Sequence, residues 1–278
     1  MYVIHFRAPK SCAATVRSLC ASDGVQVDVT VMDNGGLGDV GAIQARAIHV
    51  GSNLGYAGGA NRCIADWRAH HPTARYLVVA CHDVEVEAPT LGNMLVAMDG
   101  DLSLGILAPE FWQNGHRSGR AASSQPGSNQ VWEHEWVSGA LMLIRRDCVD
   151  AIAGFDASLG SYHEDVDFCR RARAAGWRVG MLNGAKATGR GSVASFGHRT
   201  WLMARNEILV TCKLDGKKAG ALRSVRHIGG GGKTLALAFA HCSRSERMRR
   251  FSAGGIRIAA GVCGLAKIPF RPPTGVAR

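Results

Sequence analysis

The chain has 278 residues, of which 46% are hydrophobic and 20% charged. That is enough to bury a core, and it excludes general disorder. The 35 glycines follow no three-residue period, which excludes collagen, and with 6% aromatic residues the chain has little to build an RNA-stacking surface. The net charge is +11, but residues 213–278 hold 14 of the 33 Lys and Arg and two of the 22 acids, a net of +12, so residues 1–212 stand at −1. The body reads as a near-neutral, enzyme-like domain and the tail as a segment that meets an anionic surface. A boundary at 212 follows, with a domain over 1–212 and a basic, helical and partly flexible extension over 213–278. The run HIGGGGK (227–233) is the expected joint.

The nine cysteines are odd in number and never stand in C-x-x-C spacing. A reduced compartment with cysteines as small core residues follows. No basic leader with an apolar run opens the chain, and no uncharged run reaches the length of a spanning helix. The expected location is cytoplasmic, or peripheral on the inner face of the cell membrane.

In chain order, Tyr2–Phe6 reads as a strand and Ala13–Leu19 as a helix. Val25–Met32 alternates apolar and polar residues, as a strand does, and ends in Asp33-Asn34. Ala47–Val50 is a third strand, and the Gly/Asn-rich turn 51–61 opens a helix. Tyr76–Ala80 is a continuous apolar run, the mark of a strand buried on both faces, and leads into Cys81-His82-Asp83. Leu91–Met98 follows as a helix, Leu104–Leu107 as a strand, Arg117–Gln130 as a loop and Ala140–Ile144 as a strand. Val166–Ala175 is a helix stopped by Gly176, and Val179–Leu182 is the last strand. This alternation predicts an α/β fold with a mainly parallel central sheet.

Ligands of such sheets bind at the carboxyl ends of the strands. Asp33-Asn34, Asn53 with its glycines, and His82-Asp83 all fall there, although each is also an ordinary turn sequence. Gly36 to Gly41 matches G-x-G-x-x-G, but no acid follows at the distance a dinucleotide site needs. Gly232-Lys233-Thr234 lacks the upstream glycine and strand of a P-loop. In His163-Glu164-Asp165-Val166-Asp167, three acids open a helix that ends in Arg170, Arg171 and Arg173. Helix electrostatics alone explains acids first and arginines last. It does not explain three like charges crowded beside a histidine. A carboxylate at a helix N-terminus stays ionised and is ready to take a proton as a general base.

These motifs, in order, resemble the family 2 glycosyltransferases. The resemblance rests on Asp33-Asn34-Gly35, on Asn53-Leu54-Gly55-Tyr56-Ala57-Gly58-Gly59-Ala60-Asn61, and on His82-Asp83-Val84. It continues through Ser138-Gly139-Ala140, Gly154-Phe155-Asp156, Glu164-Asp165-Val166-Asp167 and Arg205-Asn206-Glu207, and spans about residues 2–212. The nearest likeness is to bacterial rhamnosyl- and galactofuranosyl-transferase-like members. It implies a GT-A fold, a single α/β nucleotide-sugar domain, and inverting transfer from a nucleotide-diphosphate sugar (dTDP- or UDP-linked) to a glycan or lipid-linked acceptor of the cell surface.

By this resemblance Asp33 and Asn34 bind the donor's base, and Asn53, Gly55, Gly58 and Asn61 line its nucleotide side. Asp83 is the last acid of the family's metal motif and takes Mg²⁺ or Mn²⁺. Asp165 is the catalytic base and Glu164 helps to place it. Trp136, Ser138 and Gly139 lie on the acceptor side. Two departures stand out: Cys81-His82-Asp83 replaces the usual D-x-D, and the family's later metal-binding histidine is absent before His198. Arg190 is then expected to offset diphosphate charge. The competing functions are a catalytically degenerate nucleotide-sugar or polyanion binder on the same scaffold and a nucleic-acid binder using the tail. Retained Asp83 and Asp165 disfavour the first, and the lack of a basic, aromatic-rich motif disfavours the second. The expected partners are therefore the donor, the acceptor and an anionic membrane surface, with no nucleic acid.

Overall fold

The computed structural model describes residues 1–36, 38, 45–113, 116–118, 129–189, 196–238 and 244–266. By packing, the chain forms two units: Met1–Gly160 with Glu164–Val193, and Ser161–His163 with Ala194–Arg278. The packing division at 193/194 precedes the charge shift at 212, which lies inside a helix.

The first unit is built on β1 (Tyr2–His5), β2 (Thr30–Asp33), β3 (Arg46–His49), β4 (Tyr76–Cys81), β5 (Val84–Val86), β6 (Leu104–Gln113), β7 (His116–Ser118), β8 (Val131–Glu133), β9 (Leu141–Arg145) and β10 (Arg178–Gly189). The sheet runs β3-β2-β1-β4-β9-β6-β10-β5, with β7 on β6 and β8 on β10. The expected parallel pairing holds over β3-β2-β1-β4 and again between β6 and β10. β9 enters antiparallel between β4 and β6. An apolar run buried on both faces reads the same in either direction, so its sense was not legible in the sequence.

Helices α1 (Pro9–Cys20) and α3 (Thr90–Gly100) cover one face, and α2 (Gly55–His70), α4 (Arg146–Ile152) and α5 (Glu164–Ala174) the other. Alternation along the strands feeds both layers. Ile4, Val79 and Met142 pack with Ile64, Trp67 and Phe168, while Val3, Val78 and Leu143 pack with Val16, Leu19 and Met94. Of the segment 25–32, only the end is strand. β1 spans four residues and pairs from Tyr2↔Thr30 to His5↔Asp33, so residues before Thr30 have no ladder partner. β10 is longer than expected. Its pairing with β6 shifts register between Leu182 and Lys186, where Gly184 takes a φ of +86°, and the strand then continues. Asn183-Gly184 looks like a strand end and is a bulge.

The second unit holds α6 (Phe196–Leu214), α7 (Lys217–Ala238) and α8 (Arg244–Ala266). Trp201, Ala204, Ile208, Ile256 and Ala260 form its core. The glycine run expected to be a joint is helical and lies within α7. A Cβ on Gly231 would lie 2.6 Å from the Gly254 carbonyl oxygen and 2.7 Å from Ile258 Cγ1. Gly230 and Gly231 thus serve the close approach of α8, while a Cβ on Gly229 or Gly232 would meet nothing within 4 Å. Among the described residues, all cysteines are free and no helix is long and apolar enough to cross a membrane.

Candidate active site

Asp33 ends β2, and three hydrogen bonds meet on its carboxylate: His5 Nδ1 at 3.0 Å, the Gly35 N–H at 2.8 Å and His49 Nδ1 at 2.9 Å. The His5 tautomer follows from its neighbours. The Ala8 N–H donates to His5 Nε2 at 2.9 Å, so the single ring proton sits on Nδ1 and goes to Asp33. Complete burial pushes His5 below its ordinary value more than Asp33 raises it, so the contact is a hydrogen bond from a neutral ring and not an ion pair. Burial pushes Asp33 upward, but the hydrogen bonds from His5, Gly35 and His49 prevail and hold it below the usual carboxylate range.

Asn34 is buried, and its amide donates to the Gly55 carbonyl at 2.9 Å, tying the end of β2 to the start of α2. Gly59 makes room for it, since a Cβ there would lie 2.9 Å from Asn34 Nδ2. Asn53 accepts from the Gly55 N–H at 2.9 Å. Gly55 is doubly required: its φ is +69°, and a Cβ would stand 2.7 Å from the Gly160 backbone. Gly58 leaves space for Leu54, whose Cβ a substituent would meet at 2.7 Å. Asn61, expected on the nucleotide side, is engaged with Phe155. Its amide accepts from the Phe155 N–H and donates to the Phe155 carbonyl, both at 2.8 Å, so both ends are spent on clamping that turn.

The acids of the α5 motif separate into three environments. Asp167 is fully buried and pairs with Arg171 Nε at 2.8 Å, while that guanidinium also donates to the Ile152 and Gly154 carbonyls. It fastens α5 to the end of α4. Glu164 is buried and its Oε2 has no hydrogen-bond partner. Burial first, and then the charge of Asp165, push its carboxyl well above the ordinary range. Asp165 keeps backbone donors on both oxygens: the Gly139 N–H on Oδ2 at 3.0 Å and the Val166 N–H on Oδ1 at 2.9 Å.

Cys81, at the end of β4, shows how these groups converge. Its thiol lies well above its ordinary value, through burial first and then through the negative charge of Asp83, Glu164 and Asp165. The Cys81 thiol lies 4.0 Å from the Gly139 carbonyl and the Gly139 N–H donates to Asp165, so the end of β4 and the start of α5 meet at Gly139. Ser138 Oγ accepts from the Ala140 N–H at 3.2 Å in the same turn as Gly139, and Trp136 is exposed just before it. Tyr56 was missed in the sequence: its hydroxyl, on the first turn of α2, donates to the Gly139 carbonyl. Its place inside the Asn53–Asn61 motif was the available signal. Arg190 lies outside the described residues, as do Leu37 and residues 39–44 of the glycine motif.

Among the described residues, no three or more His, Cys, Asp or Glu form a group that holds a metal ion. Asp83 is the single acid at the β4 end, and its neighbour Cys81 is a half-buried thiol raised well above its ordinary value, a poor ligand for a hard cation. This donor set fits a cation shared with a donor's diphosphate oxygens, as one-carboxylate Mg²⁺ sites do, and not one held by the chain alone.

In the helical unit, Tyr162 and His163 have φ of +70° and +65°. Asn206, fully buried, donates to the Ser161 and Tyr162 carbonyls at 2.9 and 2.7 Å. Glu207 accepts from Arg223 at 2.7 Å and meets His227 Nε2 at 3.0 Å. The Arg205-Asn206-Glu207 segment thus braces left-handed backbone and joins α6 to α7.

Residues 133–212, under a third of the chain, match the sequence model described as Glycosyltransferase like family 2. No curated protein matches. Solved structures do, at low identity. S. aureus TarS 1–349 is 15% identical with a TM-score of 0.55, over 96% of this chain and 82% of that one. Against a longer TarS chain the identity is 17% and the TM-score 0.53, over 93% of this chain, which spans about half (48%) of that one. The mannosyltransferase PcManGT from Pyrobaculum calidifontis, solved with GDP-Man and Mn²⁺, is 14% identical with a TM-score of 0.61, over 96% of this chain and 86% of that one. GalNAc-T7, solved with UDP, GalNAc and Mn²⁺, is 10% identical with a TM-score of 0.58, over 97% of this chain and 57% of that one. The chain has the GT-A fold, and its segment 133–212 is similar to family 2 glycosyltransferases.

Proposed function

We propose that the protein is an inverting glycosyltransferase that moves a sugar from a nucleotide-diphosphate donor, dTDP- or UDP-linked and rhamnose-like, to a hydroxyl of a cell-surface glycan or lipid-linked acceptor. The observation that carries this reading is Asp165, ionisable at the start of α5, with backbone donors on both oxygens, one of them Gly139, whose carbonyl lies 4.0 Å from the Cys81 thiol at the end of β4. The GT-A fold and the match over 133–212 support it.

In this mechanism Asp165 takes the proton of the acceptor hydroxyl. The acceptor oxygen attacks the anomeric carbon from the face opposite the leaving group, the bond to the diphosphate oxygen breaks, and its electron pair leaves with the nucleoside diphosphate. Configuration inverts, and the proton remains on Asp165. Glu164, its hold on a proton strengthened by burial and by Asp165, stands beside the base. Asp33, locked ionised by its donors, faces the donor's base. A divalent cation shared by Asp83 and the diphosphate would neutralise charge on the leaving group.

Asp165→Asn tests the assignment. General-base catalysis is worth about 10²–10⁴-fold, so turnover should fall by that factor while nucleotide sugars still raise the melting temperature. Turnover close to the unsubstituted chain would refute the base. Absence of stabilisation by any UDP- or dTDP-sugar would refute the donor class.

The basic helices suggest where the acceptor is met. Lys218, Leu222, Val225, Arg226 and Lys233 are all exposed on α7 at spacings that share a face. Cations flanking exposed Leu222 and Val225 suit an anionic lipid surface, with the cations at the headgroups and the apolar pair below them.

A further inference from the structure

Resting on the reading of Asp165 as base, we infer that Tyr56 is a positioning residue for that base and acts through Gly139. Gly139 is wedged between the two. A Cβ on it would lie 3.3 Å from Asp165 Cβ and 3.4 Å from Tyr56 Cζ and Oη. Its N–H donates to Asp165 Oδ2 at 3.0 Å, and its carbonyl accepts from the Tyr56 hydroxyl. Glycine has the most backbone freedom of any residue. A glycine that must aim an N–H at a catalytic carboxylate therefore needs its carbonyl held from outside. The Ala140 N–H, in the same peptide unit as that carbonyl, donates to Ser138 Oγ at 3.2 Å, and the Ala140 carbonyl accepts from the Cys81 N–H at 2.8 Å. Gly139's own carbonyl has, besides Tyr56, only the Cys81 thiol at 4.0 Å among its described partners.

The tyrosine is equipped for the task. Its ring stands edge-on to Phe155 at 6.0 Å, and Phe155 stacks on Phe168 of α5 at 4.0 Å. Phe155 is in turn clamped by Asn61. The base is thus referred to α2 twice, through Tyr56–Gly139 and through Asn61–Phe155–Phe168. Burial of the hydroxyl, and then the neighbouring negative groups, hold Tyr56 well above its ordinary value, so it keeps the proton it donates.

Tyr56→Phe retains the ring and removes the donor. With Gly139 unheld, its N–H stabilises the Asp165 carboxylate less well, and the base becomes easier to protonate. A hydrogen bond to a charged group is worth enough that its partial loss should cost about tenfold in kcat at neutral pH and move the acid limb of the kcat–pH profile up by roughly half a unit or more. The donor KM and the donor-induced rise in melting temperature should stay unchanged. Ile64→Val, in the core of the same helix, provides the stability control and should leave the acid limb in place. An acid limb that stays at its original pH in Tyr56→Phe overturns the inference, as does a shift of equal size in Ile64→Val. Asp165→Asn run alongside separates the two levels. Normal turnover there removes the base and this inference together; low turnover there with an unmoved limb in Tyr56→Phe removes the inference alone.

Discussion

The two packed units treat charge in opposite ways. In the α/β unit acids lie inward: Asp33, Glu164 and Asp167 are 6%, 5% and 0% exposed, and each has a different set of partners. In the helical unit cations lie outward: Lys217, Lys218, Arg226 and Lys233 are exposed along α7, and an inward acid, Glu207, is matched by Arg223 and His227. Burying a charge is costly unless it is hydrogen-bonded or neutralised, so an inward acid without a partner needs a reason. Asp33 is met by donors on both oxygens, and Asp167 pairs with Arg171 through Oδ2. Glu164, at the start of the helix that carries the proposed base, is instead pushed well above the ordinary carboxyl range by burial and then by Asp165. An outward cation costs little to fold and acts only through long-range attraction. The first pattern suits chemistry and the second suits a surface.

The comparison breaks most easily at α7. Replacing Lys218, Arg226 and Lys233 with Gln removes three headgroup-facing charges, each worth on the order of 1 kcal/mol near an anionic bilayer. Co-sedimentation with phosphatidylserine vesicles at low salt should then weaken by about 10²-fold, and salt should weaken the unsubstituted chain in the same direction. Turnover on a water-soluble acceptor should not change. Undiminished sedimentation would leave the basic unit without its proposed partner.

Metal removal sharpens the reading of the acidic unit. With Asp83 as the lone acid at the β4 end, activity should fall by about tenfold in EDTA and return with Mg²⁺ or Mn²⁺ in excess, because a leaving diphosphate needs its charge neutralised. Full activity in EDTA would mean that protein cations do this alone, and Asp83 would lose its assigned role.

The smallest effect concerns His5. Its folded-state value is lowered by burial, so between the ordinary histidine value and that lower one the unfolded chain binds a proton that the folded chain does not. Stability therefore falls as pH drops below about 6.5. Melting temperature should decline by about 3 °C between pH 7 and 5.5 on this account, and His5→Gln should flatten that slope. An identical slope in both proteins would mean that folding does not shift the titration of His5.

Much of the fold was legible from local pattern. The runs Tyr2–His5, Tyr76–Cys81 and Leu141–Arg145 could hardly be anything but buried strands, and the acids that open α5 announced a helix start. Asp33, Asn53, Asp83 and Asp165 stood out because polar residues at the ends of such strands and helices are where ligands meet this architecture. The +12 of residues 213–278 was countable without any structure.

What the three-dimensional structure alone decided was how residues of one type divide their work. Glu164, Asp165 and Asp167 are near neighbours in a string of acids. Only packing makes the first a buried acid raised well above its ordinary range, the second a carboxylate held by Gly139, and the third a clamp on Arg171. Asn53 and Asn61 belong to one motif, but the first closes a turn on Gly55 and the second grips Phe155, 94 positions away. The glycine run 229–232 reads as a hinge until α8 lies against Gly230 and Gly231. Residue type and spacing record what a side chain is able to do. Which of those abilities is used depends on burial and on partners distant in the chain, and those exist only once the chain has folded.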